Sequence, residues 1–135
     1  MKVVIFDLDG TLIDSAPDLH RAANLVLQSE GLPAISFEQA RSFIGHGAAD
    51  LMRKVMRASG LGDDAGEHAR LLAKFMGHYE GEPGLTTLYP GVVDALARLE
   101  AMGCTMGLCT NKPEQPTRIA LRHFGLDRYM QAVAS

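Results

Sequence analysis

The sequence predicts an α/β protein: a parallel sheet whose chain is interrupted early by an all-helical insertion. Three observations predict it. A short run rich in β-branched and aromatic residues, Lys2-Val3-Val4-Ile5-Phe6-Asp7-Leu8-Asp9, opens the chain and ends at Gly10-Thr11. Residues 15 to 85 then carry helical periodicity without a strand-like run. From Tyr89 onward the pattern becomes helix, strand, helix, strand, which with the first run reads as parallel strands joined by right-handed crossovers.

The elements follow in order. The first run reads as a buried strand meeting a loop. After Ser15, a candidate N-cap with Pro17 in the first turn, the positions Leu19, Ala22, Ala23, Val26 and Leu27 follow the spacing of one helix face. Ser36 with Gln39 three residues on forms a capping-box signal for a short helix ending near Gly45. A third helix follows Gly45-His46-Gly47, with Ala48, Leu51, Met52, Val55 and Met56 inward and Gly60 as its stop. Asp63 and Asp64 open a fourth, with Ala65, Ala69, Leu72, Met76 and Tyr79 inward, until Gly81-Glu82-Pro83-Gly84 breaks it. Beyond Pro90-Gly91 a helix places Val92, Ala95, Leu96 and Leu99 inward and closes at Gly103. Cys104 to Thr110 reads as a strand, Glu114 to Phe124 as a helix ended by Gly125, and Met130 to Ala134 as a third strand. Residues 1–14 and 86–135 are therefore expected to form a Rossmann-like core, and residues 15–85 a separate helical domain.

Composition narrows the partners. The 135 residues are 47% hydrophobic, enough for a real core, and the net charge of -3 comes with Lys and Arg spread along the chain. No basic block of the kind that holds nucleic acid is present. No apolar run approaches a membrane span, and Met1 to Leu8 is too short for a signal-peptide core and carries Asp7, so a cytoplasmic location is expected. Cys104 and Cys109 make no CxxC pair and are expected to be reduced, buried thiols. The five histidines are scattered and read as structural or surface residues.

Two segments carry chemistry. Side chains alternate along a strand, so Asp7 and Asp9 share a face if the strand stays extended, and Gly10 lets the chain curl there. Crowded carboxylates call for a cation, which makes a divalent metal the natural third party. Ligands of open parallel sheets sit at the carboxyl ends of the strands, where the first strand supplies Asp7 and Asp9 and the second supplies Thr110 and Asn111. A carboxylate attacking a phosphate dianion needs Mg²⁺, backbone N–H groups and hydroxyl or amide donors around the phosphoryl oxygens. A second carboxyl two residues on is placed to protonate the leaving oxygen and later to activate water. An EF-hand is excluded because Gly10 stands fourth from Asp7 and not sixth, and a Walker A loop because GK[ST] is missing.

Phe6-Asp7-Leu8-Asp9-Gly10-Thr11-Leu12-Ile13-Asp14-Ser15 resembles the first motif of the haloacid dehalogenase-like hydrolases. Thr110-Asn111-Lys112-Pro113 resembles their second, and Tyr89-Pro90-Gly91-Val92 the segment that re-enters the core after the cap domain. Within the superfamily, Gly45-His46-Gly47, the four-helix insertion and the Thr-Asn-Lys-Pro form are most similar to the bacterial phosphoglycolate phosphatases. The resemblance implies Asp7 as nucleophile and metal ligand, and Asp9 as general acid/base and metal ligand through its backbone carbonyl. It implies Leu8, Asp9, Thr110 and Asn111 as phosphate ligands, Mg²⁺ as cofactor, and a small phosphorylated metabolite such as 2-phosphoglycolate as substrate. Gly45, His46 and Gly47 are then expected to bear on substrate choice from the cap. Lys112 is read as a solvated, helix-flanking lysine, and Asp14 as a support for the turn into the cap.

The resemblance also implies a third-motif Lys and a fourth-motif acidic pair on later strands, and neither occurs before Ser135. A polypeptide ending there is expected to be marginally stable and catalytically incomplete. Two alternatives stay beside the phosphatase: a sugar phosphomutase of the same fold, which a basic residue on the cap loop would favour, and a non-catalytic fragment. The residues after Gly47 are Ala48 and Ala49. A dehalogenase is disfavoured because such relatives usually lack the second aspartate.

Overall fold

The structure, a computed structural model, describes residues 2–80 and 84–135. In chain order its elements are β1 (Val3–Phe6), β2 (Ile13–Asp14), α1 (Ala16–Ser29), α2 (Phe37–Phe43), α3 (Ala48–Ala58), α4 (Ala65–Tyr79), β3 (Thr87–Leu88), α5 (Val92–Ala101), β4 (Thr105–Cys109), α6 (Glu114–His123), a 3₁₀ turn (Asp127–Tyr129) and β5 (Ala132–Ala134). By its internal contacts the chain divides into two compact units, Met1–Ser15 with Gly81–Ser135, and Ala16–Glu80. The expected helix-breaking segment at Gly81, Glu82 and Pro83 lies outside the described residues.

The first unit is α/β. Its sheet is parallel in the order β1-β4-β5, with Val3 opposite Thr105, Phe6 opposite Leu108, and Gly107 opposite Ala132. Its core gathers Leu8, Ile13, Leu96, Met106 and Leu126, each nearly or fully buried. Gly107 sits in a tight place, because a Cβ there would lie 3.1 Å from Ile5 Cδ1 and 3.3 Å from the Ala132 carbonyl oxygen, so that both neighbours would have to give by a few tenths of an ångström. Left-handed Gly103 and Gly125 follow α5 and α6, so both helices stop where the sequence places glycine.

Four readings of this unit need correction. β1 ends at Phe6 and does not run on to Asp9, because the Leu8 carbonyl accepts from three successive N–H groups, of Thr11 at 3.2 Å, Leu12 at 2.9 Å and Ile13 at 3.2 Å. Those bonds turn the chain at Gly10, φ +80°, and return it as β2, which pairs antiparallel with β3; two-residue strands are too short to leave a periodic signal. β1 is not wholly buried: it forms an edge of the sheet, and Val3 and Ile5 remain 61% and 60% exposed. Ala95 and Cys109 are exposed where burial was expected, Ala95 because α5 turns Val92 and Leu96 inward instead.

The second unit is all helical. α1 presents Leu19, Ala22, Ala23, Val26 and Leu27 to a core shared with Leu51, Met52, Val55 and Met56 of α3 and Leu71 and Phe75 of α4. The Ser36 side chain accepts from the Gln39 N–H at 3.1 Å and the Asp64 side chain from the Glu67 N–H at 2.9 Å, so both caps sit where the sequence signals them. The α4 stripe is corrected by a partial rotation. Ala65 and Ala69 face solvent while Leu71 and Phe75 lie inward, since the larger side chains withdraw more apolar area from water than alanine does.

Candidate active site

Parallel pairing places the ends of β1 and β4 side by side, and the residues that follow each strand form the site. Asp7 is the first residue past β1; it is exposed, and its Oδ1 accepts from the Leu8 N–H at 2.8 Å. The Leu8 N–H is thus directed at the Asp7 carboxylate in this state. Asp9 is half-buried, and its Oδ1 accepts from Ser15 Oγ at 2.6 Å and from Lys112 Nζ at 3.3 Å.

The second strand contributes Thr110, which is 8% exposed and whose N–H donates to the Ala134 carbonyl at 2.9 Å. Its Oγ1 accepts from the Lys112 N–H at 3.1 Å, which leaves the hydroxyl proton to be donated elsewhere. Asn111 is exposed and its side chain has no partner among the described residues. The structure therefore brings Asp7, Leu8, Asp9 and Thr110 to one strand-end cluster, with Asn111 at its solvent side.

One residue of this cluster was misread from sequence. Lys112 is not solvated: its side chain is 5% exposed and ion-paired with Asp9. Ser15, directly before α1 where a cap is expected, also donates to Asp9, a bond the sequence reading does not include. Asp9 and Lys112 each stand three residues beyond the end of adjacent parallel strands, a match that emerges only once β1 is seen to end at Phe6 and β4 at Cys109.

Gly45, His46 and Gly47 lie in the helical unit, between α2 and α3. Both glycines have positive φ, +137° and +88°, and Gly47 caps α3 without a side-chain bond. His46 is exposed. In the first turn of α3 the Asp50 carboxyl lies below its ordinary range, chiefly through Lys54 beside it and less through His46 and Arg53.

No cluster of three or more His, Cys, Asp or Glu suited to a metal occurs among the described residues. The donors present are the Asp7 and Asp9 carboxylates and the carbonyls of the intervening loop, all hard oxygens. That set fits Mg²⁺, which takes one or two protein carboxylates and completes its shell with phosphate and water.

Residues 4–135 match the haloacid dehalogenase-like hydrolase family. The chain belongs to that family. Among the relatives of this haloacid dehalogenase-like protein is the phosphoglycolate phosphatase of Rhodobacter capsulatus, 44% identical over 130 residues, which cover 96% of this chain and 59% of that enzyme. Phosphoglycolate phosphatase 1 of Pseudomonas aeruginosa is 43% identical over 134 residues, covering 96% and 48%. A crystal structure described as a predicted phosphoglycolate phosphatase from Haemophilus somnus superposes with a TM-score of 0.87 at 31% identity, over 99% of this chain and 62% of that one. The chain thus spans about half to three fifths of the length of the curated relatives it matches. No helix among the described residues is long and apolar enough to cross a membrane.

Proposed function

We propose that this haloacid dehalogenase-like protein is a magnesium-dependent phosphomonoester hydrolase of the cytoplasm that works through an aspartyl phosphate on Asp7, with 2-phosphoglycolate as its substrate. The observation that carries the reading is the convergence of the Asp7–Asp9 loop with Thr110 and Lys112 at the ends of two neighbouring parallel strands. The phosphoglycolate phosphatases among the relatives support the substrate, and the two unpaired cysteines support a reducing compartment.

In this reading the Asp7 carboxylate attacks phosphorus in line with the ester oxygen, forming the acyl phosphate as the alcohol leaves. The Thr110 hydroxyl and the N–H groups of Leu8 and Asp9 donate to the phosphoryl oxygens, with the Leu8 N–H exchanging its bond to Asp7 for one to phosphate. Asp9 gives its proton to the departing oxygen and then takes one from the water that hydrolyses the acyl phosphate. Asp7 and the backbone carbonyl of Asp9 would hold Mg²⁺, which when bound offsets the repulsion between the carboxylates and the phosphate. The helical unit serves as a cap, and Gly45-His46-Gly47 offers backbone N–H groups and a histidine that bear on substrate choice.

The test compares full-length wild type with Asp7→Asn on 2-phosphoglycolate and Mg²⁺. The amide cannot form an acyl phosphate, so turnover is expected to fall by at least about 10³-fold with the circular dichroism unchanged. An acid-quenched reaction should trap phosphate on the wild-type protein and none on the variant. Retained turnover in Asp7→Asn would refute the assignment.

A further inference from the structure

Lysine is rarely buried without a partner, because removing an ammonium from water is expensive. The Lys112 side chain is nonetheless only 5% exposed, and its Nζ lies 3.3 Å from Asp9 Oδ1, across 103 positions of sequence. The loop that carries it is fastened on both sides. The Lys112 N–H donates to Thr110 Oγ1 at 3.1 Å, and the fully buried Thr117 hydroxyl lies 3.3 Å from the Lys112 carbonyl and 2.8 Å from that of Pro113. The backbone is thus fixed at the point from which the lysine reaches across to the neighbouring strand's loop. Ser15 Oγ approaches the same carboxylate oxygen at 2.6 Å.

We infer that Lys112 is a positioning residue for Asp9: with Ser15 it anchors Oδ1, fixes the plane of the carboxyl, and leaves Oδ2 as the oxygen that carries the proton to the leaving group. This rests on the phosphatase reading above and adds to it a role for Lys112 that the family resemblance does not imply. The chemistry follows from the bonds. With Oδ1 already accepting from an ammonium and a hydroxyl, Oδ2 is the carboxyl oxygen left open to a bond with the leaving group. A carboxyl held by one donor alone is free to rotate about its Cβ–Cγ bond, whereas two donors from separate segments define a single plane. Proton transfer depends on such alignment, since a general acid acts only from within hydrogen-bond reach of the leaving oxygen.

A residue that acts through Asp9 alone has a signature that packing does not share, namely sensitivity to the leaving group. Departure of the glycolate alkoxide from 2-phosphoglycolate requires protonation; departure of para-nitrophenolate does not. Steady-state kcat/KM reports the steps up to that departure. In the full-length protein, Lys112→Met is expected to lower kcat/KM for 2-phosphoglycolate by about 10²-fold, within the usual contribution of general acid catalysis, and for para-nitrophenyl phosphate by no more than about threefold. The loss should fall on kcat, and Lys112→Arg should recover part of it. Equal losses on the two esters, or a loss confined to KM, would show that the lysine only packs or attracts anions. A crystal structure of Lys112→Met scores the geometry independently of turnover. The inference expects the Asp9 carboxyl to rotate or to split between conformers, and an unmoved carboxyl overturns it whether or not the protein is a phosphatase. A wild type that hydrolyses neither ester would instead sink the phosphatase reading, and the Asp9 displacement would still decide the positioning role.

Discussion

Replacing Asn24 by alanine should destabilise the helical unit by about 2–4 kcal/mol, and the figure follows from three contacts. Asn24 Oδ1 accepts from the Ile35 N–H at 2.9 Å, and Nδ2 donates to the Ile35 carbonyl at 3.2 Å. His20 Nε2 lies 2.9 Å from both Asn24 Nδ2 and the Ile35 carbonyl, so its tautomer selects which of those two bonds is made. Ile35 is only 7% exposed, and water cannot easily replace what the carboxamide supplies. In Asn24→Ala the Ile35 N–H loses this acceptor, at about 1–3 kcal/mol for a stranded donor. The carbonyl fares better, because His20 can present Nε2–H to it; only the net value of an exchanged bond, about 1 kcal/mol, is added. His20→Ala should cost less than Asn24→Ala, because Asn24 then keeps both bonds to Ile35. Urea unfolding followed by far-UV circular dichroism gives the comparison, and with slopes of about 1–3 kcal/mol/M the Asn24→Ala midpoint should fall by about 0.7–4 M. A loss below about 0.5 kcal/mol, or a larger loss for His20→Ala, would refute the reasoning, the second by transferring the clasp to the histidine.

Two further outcomes concern the same unit. Phe75 is fully buried and stacks on Tyr79 with ring centroids 5.5 Å apart, so Phe75→Ala should cost about 3–5 kcal/mol and Phe75→Leu far less, measured by the same unfolding assay. Hydrogen bonds from Arg70, and then from Lys74, hold the Glu30 carboxyl at about 2 against its ordinary 4.5. A carboxyl depressed on folding stabilises fully above its unfolded value and loses that contribution as pH falls through its folded one. The stability gap between wild type and Glu30→Gln should therefore be widest above about pH 5 and narrow as pH falls toward 2, and salt should shrink it because the pair is near the surface. A gap that is constant across this range would assign Glu30 no electrostatic role.

The sequence by itself determined the order of the helices and of the three strands of the parallel sheet, the positions of the caps and the segments of the candidate site, because those are local properties. Ser36 and Asp64 cap their helices through bonds spanning three residues, and glycine ends α5 and α6 because left-handed backbone favours it wherever the chain lies. The Asp7–Asp9 pair and Thr110 were placed at strand ends from sequence as well, since each lies at the end of a short run rich in apolar and β-branched residues. What the tertiary structure decided is which of several locally acceptable arrangements forms. The stripe of α4 rotated toward Leu71 and Phe75 because apolar area, and not spacing alone, selects the buried face. β2 and β3 exist because each pairs with the other across more than 70 positions of chain, a contact with no local imprint. Lys112 is the clearest case. An isolated lysine after a strand is stable in water, and its ammonium leaves solvent only when a carboxylate from a distant segment stands within reach to offset the lost hydration, which no pattern confined to residues 110–113 can reveal.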